Sequence, residues 1–181
     1  VYNLEDARVV AMHFNAFIRH CQTVKMANVA QIVNVIAPIF TSPDGLFLQT
    51  IFYPFELYSR TCGNIALDPF WKGDTFSAGK HTALRTLDVS ASLDEAKKSV
   101  VIFVVNRSQT DALETTISLD SGFFAGKVQA YVINGSDIKA TNSFNQPNQV
   151  GVKTAVLTAE RSRLNYTFEP HSVTALECQI D

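Results

Sequence analysis

Two different hydrophobic patterns fill the first forty residues. In the first, apolar residues recur every three or four positions, as on one face of a helix: Ala7, Val10, Phe14, Phe17 and Cys21. Asn3 and Asp6 stand where a weak capping box would begin such a helix. The pattern predicts a helix over residues 4 to 22 that lies on a surface with one stripe buried.

The second pattern is a nearly continuous apolar run from Val24 to Phe40. Its polar residues fall at intervals of three: Lys25, Asn28, Gln31 and Asn34. The run predicts a buried segment, but periodicity alone does not separate a doubly buried strand from a buried helix. We interpret Lys25 to Asn28 as a strand that leads into a short helical or irregular segment over residues 29 to 36, ended by Pro38.

A turn and a second helix follow the apolar run. Ser42-Pro43-Asp44-Gly45 has the composition of a turn. Gln49 to Arg60 is rich in aromatic residues and predicts a short helix with Pro54 near its first turn. A helix, one buried strand and a helix cannot close a core, and about sixty residues is far less than the roughly 250 of a (β/α)8 barrel. We therefore expect the chain to be the C-terminal portion of something larger.

The pattern changes to alternating apolar and polar residues from about residue 78. Seven runs predict strands: Leu84 to Ser92, Ser99 to Val105, Leu113 to Leu119, Lys127 to Ile133, Val152 to Leu157, Leu164 to Phe168 and Val173 to Ile180. Evenly spaced strands without helical patterns between them indicate an antiparallel β-sandwich, jelly-roll-like. The expected fold is mainly β, with a helix-strand-helix over residues 1–60, a bridge over 61–77 whose aromatics are buried, and the sandwich over 78–181.

Composition excludes several classes of protein. The chain has 181 residues, 46% of them hydrophobic, and a formal net charge of −2. These values favour a globular protein over a disordered chain or a general nucleic-acid binder. The three cysteines, Cys21, Cys62 and Cys178, show no metal-ligand spacing and are expected to be buried free thiols. The four histidines are scattered, so no metal or cofactor is expected, and the compartment is not indicated.

The candidate carboxylates of the first part of the chain give no catalytic pair: Glu5, Asp6, Asp44, Glu56 and Asp68. Glu5 and Asp6 suit the first turn of a helix, Asp44 suits a turn, and Glu56 suits a helix face. Gln31 and Asn34 are the remaining candidates, because they follow the presumed strand at the end where barrels hold their active sites. An amide there can hold a sugar hydroxyl, since it both donates and accepts, or it can satisfy a kinked backbone.

Some residues of the bridge and of the β half have two possible roles. Asn106, Asn134 and Asn165 begin glycosylation triplets, which also occur by chance. Trp71 and Phe70 either stack on a sugar ring or pack between the two parts of the chain.

The run Lys25 to Ile39 resembles the last-strand region of the α-L-arabinofuranosidases of glycoside hydrolase family 51. Asn3 to Ala7 with Ala16 to His20 is similar to the preceding barrel helix, and Phe52 to Phe55 to the following one. Three segments resemble the C-terminal sandwich of that family: Leu87 to Ser92, Val104 to Arg107 and Pro170 to Thr174. The likeness covers essentially the whole chain and is most specific in its first sixty residues.

The resemblance implies a retaining glycosidase that releases terminal arabinofuranosyl groups from hemicellulose or pectin side chains. Its two catalytic glutamates would lie on barrel strands that precede this stretch, so the chain alone is expected to be inactive. Gln31 matches a family glutamine that contacts an arabinose hydroxyl. The alternative is a stand-alone β-sandwich that binds carbohydrate or a partner.

Two kinds of partner follow. An arabinose-containing oligo- or polysaccharide would bind through the intact barrel. The family sandwich receives strands from the N-terminus of the full chain, so an edge without them, or the exposed barrel remnant, would favour self-association or pairing with the rest of the enzyme.

Overall fold

Two helices and twelve strands make up the fold. A computed structural model describes all residues, 1–181. The helices are α1 (Leu4–Arg19) and α2 (Phe52–Thr61). The strands are β1 (Ile39–Ser42), β2 (Gly45–Leu48), β3 (Ile65–Leu67), β4 (Thr75–Ala78), β5 (His81–Arg85), β6 (Leu87–Asp94), β7 (Ser99–Asn106), β8 (Leu113–Ile117), β9 (Phe124–Asn134), β10 (Gly151–Thr158), β11 (Leu164–Phe168) and β12 (Val173–Ile180).

A six-stranded antiparallel sheet is the centre of the molecule, with the order β10-β9-β12-β7-β6-β3. Alternate residues of β7 point to the two opposite faces of this sheet. Val101, Phe103 and Val105 pack in one core with α1 and α2. Val100, Ile102 and Val104 pack in a second core with the two-stranded sheet of β8 and β11. The prediction of a mainly β, antiparallel fold is confirmed, and all seven predicted strands are present, the first divided between β5 and β6.

Helix α1 begins as its sequence predicts. The Asn3 side chain accepts the Asp6 N–H, and the Asp6 carboxylate accepts the Asn3 N–H, which completes a capping box. The helix ends at Arg19, three residues before the predicted end. Its fully buried residues include Leu4, Ala7 and Ala11, which face the sheet.

A buried polar network joins α1 to α2 and to β6. The amide oxygen of Asn15 accepts hydrogen bonds from the Tyr58 hydroxyl at 2.8 Å and the Ser90 hydroxyl at 2.7 Å. The Asn15 amide nitrogen donates to the Asp88 carbonyl at 3.0 Å. Arg19 donates to the Asp88 carboxylate and to the Val89 carbonyl, both at 2.7 Å. Burial raises the pKa of Tyr58, so its hydroxyl stays protonated and remains a donor.

Most of the apolar run from Val24 to Phe40 is exposed or only partly buried in this chain, with Ala37 and Pro38 as the buried exceptions, so the prediction of a buried segment is wrong. Residues 25–28 form no strand, and the following residues include Ile32, Val35 and Ile36, which are 66%, 74% and 58% exposed. A strand needs neighbours that pair with its backbone and cover its side chains, and no element of this chain lies beside residues 25–28 as a strand. The predicted helix-strand-helix is therefore a helix, an irregular segment, the β1–β2 hairpin and a helix.

The bridge over residues 61–77 contributes to the sheet. Strand β3 pairs antiparallel with β6, and the Trp71 indole nitrogen donates to the Leu87 carbonyl at 3.2 Å while the ring packs against the second core. Phe70 is 90% exposed and Phe76 is 37% exposed, so the expectation that the aromatics of this bridge are buried is wrong for both. Trp71 is the one aromatic of the bridge that is partly buried, because its ring packs against the second core. Neither helix has the length and apolarity that crossing a membrane requires.

Candidate functional site

Gln31 lies in the irregular segment between α1 and β1. Its side chain is exposed, eight residues before β1 begins. Asn28 is also exposed, whereas Asn34 is partly buried. The amide of Gln31 is thus accessible to a ligand, whereas the amide of Asn34 is hydrogen-bonded within the protein.

Asn34 ties the segment to the first strand. Its side-chain oxygen accepts the Thr41 N–H at 2.8 Å, and its side-chain nitrogen donates to the Thr41 hydroxyl at 3.0 Å. Its backbone N–H donates to the Ile39 carbonyl at 2.8 Å. A parallel bridge between Val33 and Ile39 closes the same loop. Asn34 therefore does satisfy a kinked backbone, one of the two roles open to an amide in this stretch.

The kink itself is a strained backbone. Asn34 has φ of 58° and Val35 has φ of 60°. Asparagine tolerates this left-handed region, but a β-branched residue there is an outlier. Strain of this kind costs about 1–3 kcal/mol per residue and persists where surrounding bonds hold it, often at ligand sites.

Residue Gln49 anchors the other end of the loop and hairpin. It is 1% exposed, and its side chain donates to the Ala37 carbonyl at 2.7 Å and accepts the Tyr2 N–H at 2.9 Å. Its backbone N–H donates to the Pro38 carbonyl at 2.8 Å. The hairpin is thereby fixed to the start of α1.

The loop after β9 supports the hairpin from the sandwich side. Asn142 is buried and donates to the Leu48 carbonyl and to the Val150 carbonyl, both at 2.9 Å. Phe144 packs edge-on against Phe47, with ring centroids 4.8 Å apart. The segment after Gln31 is thus held by residues from the helical part and from the sandwich.

An open apolar cleft of about 370 Å³ lies between the helices and residues 26–28. Its walls include Phe14, Phe17 and Phe55, with Met26 opposite. His13 is the single ionisable residue among its lining groups. This lining offers apolar contact and few polar partners, so the cleft does not suit a sugar, which needs several hydrogen bonds.

The acidic residues have structural roles. Asp6 completes the helix cap, and Glu5 pairs with Lys139. The hydrogen bond and charge of Lys139 lower the pKa of Glu5, so it stays ionised at neutral pH. Glu56 pairs with Arg60 at 2.7 Å on the face of α2, and Asp44 lies in the turn of the β1–β2 hairpin. None of these four residues is arranged as a general acid.

Thiols and imidazoles form no metal site. No group of three or more His, Cys, Asp or Glu side chains could hold an ion. All three cysteines are free, but Cys178 alone is fully buried, while Cys62 is exposed and Cys21 partly so. The expectation of buried thiols is therefore correct for Cys178 and wrong for Cys62, which follows the end of α2. Burial raises the pKa of Cys178 to about 12.

Two of the three glycosylation triplets are inaccessible. Asn106 is fully buried and donates to the carbonyls of Phe168 and Glu169. Asn134 is 9% exposed and donates to the Glu169 carboxylate at 2.7 Å. Asn165 is exposed on β11, where it accepts from the Thr116 hydroxyl. Because modification needs an accessible amide, the first two triplets are structural.

These features define a β-sandwich with a helical layer on one face and an exposed, amide-bearing loop beside it. The sequence profile described as the α-L-arabinofuranosidase C-terminal domain matches residues 1–172. The chain belongs to this family, as the C-terminal domain of glycoside hydrolase family 51 α-L-arabinofuranosidases.

Curated relatives and solved structures agree with this assignment. The chain is 33% identical over 174 residues to the intracellular exo-α-(1→5)-L-arabinofuranosidase 1 of Bacillus subtilis, covering 95% of this chain and 34% of that protein. It is 32% identical to the exo-α-(1→6)-L-arabinofuranosidase of Bifidobacterium longum, with 97% and 34% covered. The arabinose complex of the Thermotoga maritima α-L-arabinofuranosidase superposes with a TM-score of 0.87 at 27% identity, covering 97% of this chain and 38% of that one. The chain thus spans about a third of the length of these relatives.

Sequence reasoning did not predict the hairpin or the Asn34 contacts. The turn at Ser42 to Gly45 was predicted and is confirmed, with Ser42 paired to Gly45. The signal for the two strands was the apolar pair Ile39 and Phe40 before the turn and the run Leu46 to Leu48 after it. Ile39 and Phe40 also continue the preceding apolar run, which conceals that signal.

Proposed function

We propose that this chain is the C-terminal part of a retaining α-L-arabinofuranosidase and supplies Gln31 as a contact to an arabinose hydroxyl. The substrates would be hemicellulose or pectin side chains that end in arabinofuranosyl groups. The observation that carries the proposal is the family match over residues 1–172. The exposure of the Gln31 side chain supports its proposed role.

In this proposal the two catalytic glutamates lie outside the 181 residues. The match covers only 34% of the Bacillus subtilis relative, which leaves room for a catalytic barrel in that protein. The acidic residues of the helical part serve a cap, ion pairs and a turn. The proposed division is residues 1–60 as the end of a barrel, 61–77 as a bridge and 78–181 as the sandwich.

The arrangement of Gln31 suits binding rather than proton transfer. An amide does not titrate, but it can donate one hydrogen bond to a sugar oxygen and accept another from a hydroxyl. Such a contact contributes to rate to the extent that it is stronger in the transition state than in the bound substrate.

Gln31→Ala in the full-length protein that carries this chain tests the role of this residue. We expect kcat/KM on an aryl α-L-arabinofuranoside to fall about ten- to a hundredfold, because one hydrogen bond in a desolvated site contributes roughly 1.4–3 kcal/mol. The melting temperature should not change, since the side chain is exposed. Gln109→Ala, an exposed glutamine of the sandwich, is the matched control. An unchanged kcat/KM in Gln31→Ala would remove the residue from the site.

We also propose that the isolated chain self-associates or pairs with the rest of the enzyme. Val35 and Ile36 are exposed, and β10 is an edge strand whose Val156 is 66% exposed. Unpaired edges and large apolar patches favour association.

Sedimentation velocity of the purified chain, from micromolar to near-millimolar concentration, tests this association. The expected result is a sedimentation coefficient that rises with concentration, and a smaller rise in the variant Val35→Lys, which charges the patch. Val9→Lys, a 41% exposed valine on α1, is the control. A monomeric mass throughout the range would contradict the proposal.

A further inference from the structure

The backbone after Gln31 is closed into a loop by bonds that converge on Asn34. Its N–H donates to the Ile39 carbonyl, and its carbonyl accepts the Ala37 N–H at 3.1 Å. Its side chain makes both hydrogen bonds to Thr41. The Val33–Ile39 bridge lies next to these contacts and begins two residues after Gln31. Asn34 and the Val33–Ile39 bridge thus connect the backbone after Gln31 to the hairpin.

These bonds hold a conformation that the chain would not adopt unaided. Asn34 and Val35 are both in the left-handed region, with φ of 58° and 60°. Val35 has no polar side chain to stabilise it there, so its conformation depends on the neighbouring bonds. If the Asn34–Thr41 bonds are lost, the loop can relax to an unstrained path, which moves the residues before it.

The other end of the loop is held by hydrogen bonds and cannot shift when the loop relaxes. The carbonyls of Ala37 and Pro38 are bonded to the buried Gln49, and the Leu48 carbonyl is bonded to the buried Asn142. Because the hairpin is fixed on both sides, relaxation is transmitted towards the exposed residues at 31–33. A displacement of about 1 Å at a substrate contact is enough to cost roughly a hundredfold in rate.

We infer that Asn34 is a positioning residue that sets the location of Gln31 in the sugar site through its side-chain bonds to Thr41. This inference rests on the proposed function, since it needs Gln31 to contact the substrate. The Asn34 side chain is hydrogen-bonded to Thr41, so it acts on the substrate only through the position of Gln31.

Three variants of the full-length protein separate the side chain from the backbone. Asn34→Gly keeps the left-handed conformation, which glycine adopts freely, but removes both bonds to Thr41. Asn34→Asp keeps an oxygen that accepts the Thr41 N–H and also tolerates the left-handed region. We expect kcat/KM to fall about tenfold or more in Asn34→Gly and less than about threefold in Asn34→Asp. Asn34→Ala, which loses both the bonds and the conformational tolerance, should be at least as impaired as Asn34→Gly.

A double-mutant cycle with Gln31→Ala gives the readout that a purely structural role would not move. If Asn34 acts through Gln31, Asn34→Gly should lower kcat/KM less than about threefold in the Gln31→Ala background. An equal fall of kcat/KM in the wild-type and Gln31→Ala backgrounds would overturn the inference about Asn34. Full activity of Asn34→Gly would also overturn it. Neither result would change the proposed role of Gln31. If Gln31→Ala alone has no effect, the proposed function of Gln31 fails and the inference fails with it. Thermal unfolding of each variant identifies any rate loss that comes from unfolding.

Discussion

Asn15→Ala should lower the free energy of unfolding of the protein by about 3–5 kcal/mol, because it leaves two buried hydroxyls without an acceptor and removes a donor from a buried carbonyl. The hydroxyls are those of Tyr58 and Ser90, and the carbonyl is that of Asp88, which stays paired with Val105 in the β6–β7 ladder. Tyr58 lies on α2, whereas Ser90 and Asp88 lie on β6, and Asn15 is fully buried, so water cannot replace the lost bonds. Urea unfolding followed by circular dichroism measures the change.

Two controls identify the cause of that loss. Asn148→Ala makes the same chemical change at an exposed position and should alter the free energy of unfolding by less than about 0.5 kcal/mol. Ser90→Ala removes one partner of Asn15 and should cost about 1 kcal/mol, since Asn15 keeps its bond from Tyr58. A loss below about 1 kcal/mol in Asn15→Ala would show that the network does not hold α1 on the sheet.

The β half follows from its sequence because its pattern is local. In β7, alternate residues face two different cores, so all residues from Val100 to Val105 are apolar. Short strands of period two with polar turns predict an antiparallel sheet whatever surrounds them. The capping box of α1 was readable for the same reason, since Asn3 and Asp6 bond to each other's backbone.

The apolar run from Val24 to Phe40 did not follow from its sequence, because its burial depends on neighbours. Hydrophobic residues indicate that a segment is covered somewhere, but they do not indicate by what. In this chain Met26 is 78% exposed, and the part of the segment that is well ordered by hydrogen bonds is the loop around Asn34. Such side-chain hydrogen bonds to a neighbouring backbone have no periodicity, so hydrophobic patterns in the sequence do not predict them.

The sandwich contacts the hairpin that follows the loop. Asn142 and Phe144 come from the segment between β9 and β10, yet they contact Leu48 and Phe47 of the hairpin. The segment that carries Gln31 is therefore braced by the β half as well as by Gln49.

The purified 181-residue chain is expected to show no hydrolysis of an aryl α-L-arabinofuranoside, whereas the full-length protein that carries it should turn the substrate over. Retaining glycosidases need two carboxyl groups on either side of the scissile bond, one as acid and base and one as nucleophile. Without them the rate should fall by at least about a millionfold, to the level of the uncatalysed reaction. A correctly placed Gln31 cannot compensate, because an amide neither attacks the sugar nor transfers a proton at neutral pH.

Release of the aryl alcohol by equal molar amounts of the chain and of the full-length protein is the most direct measurement. The proposed function predicts turnover by the full-length protein, reduced by Gln31→Ala, and a rate for the chain equal to the buffer blank. Turnover by the chain that disappears in its own Gln31→Ala variant would contradict the placement of the catalytic carboxylates outside residues 1–181. A full-length protein that does not cleave arabinofuranosides would contradict the proposed activity itself.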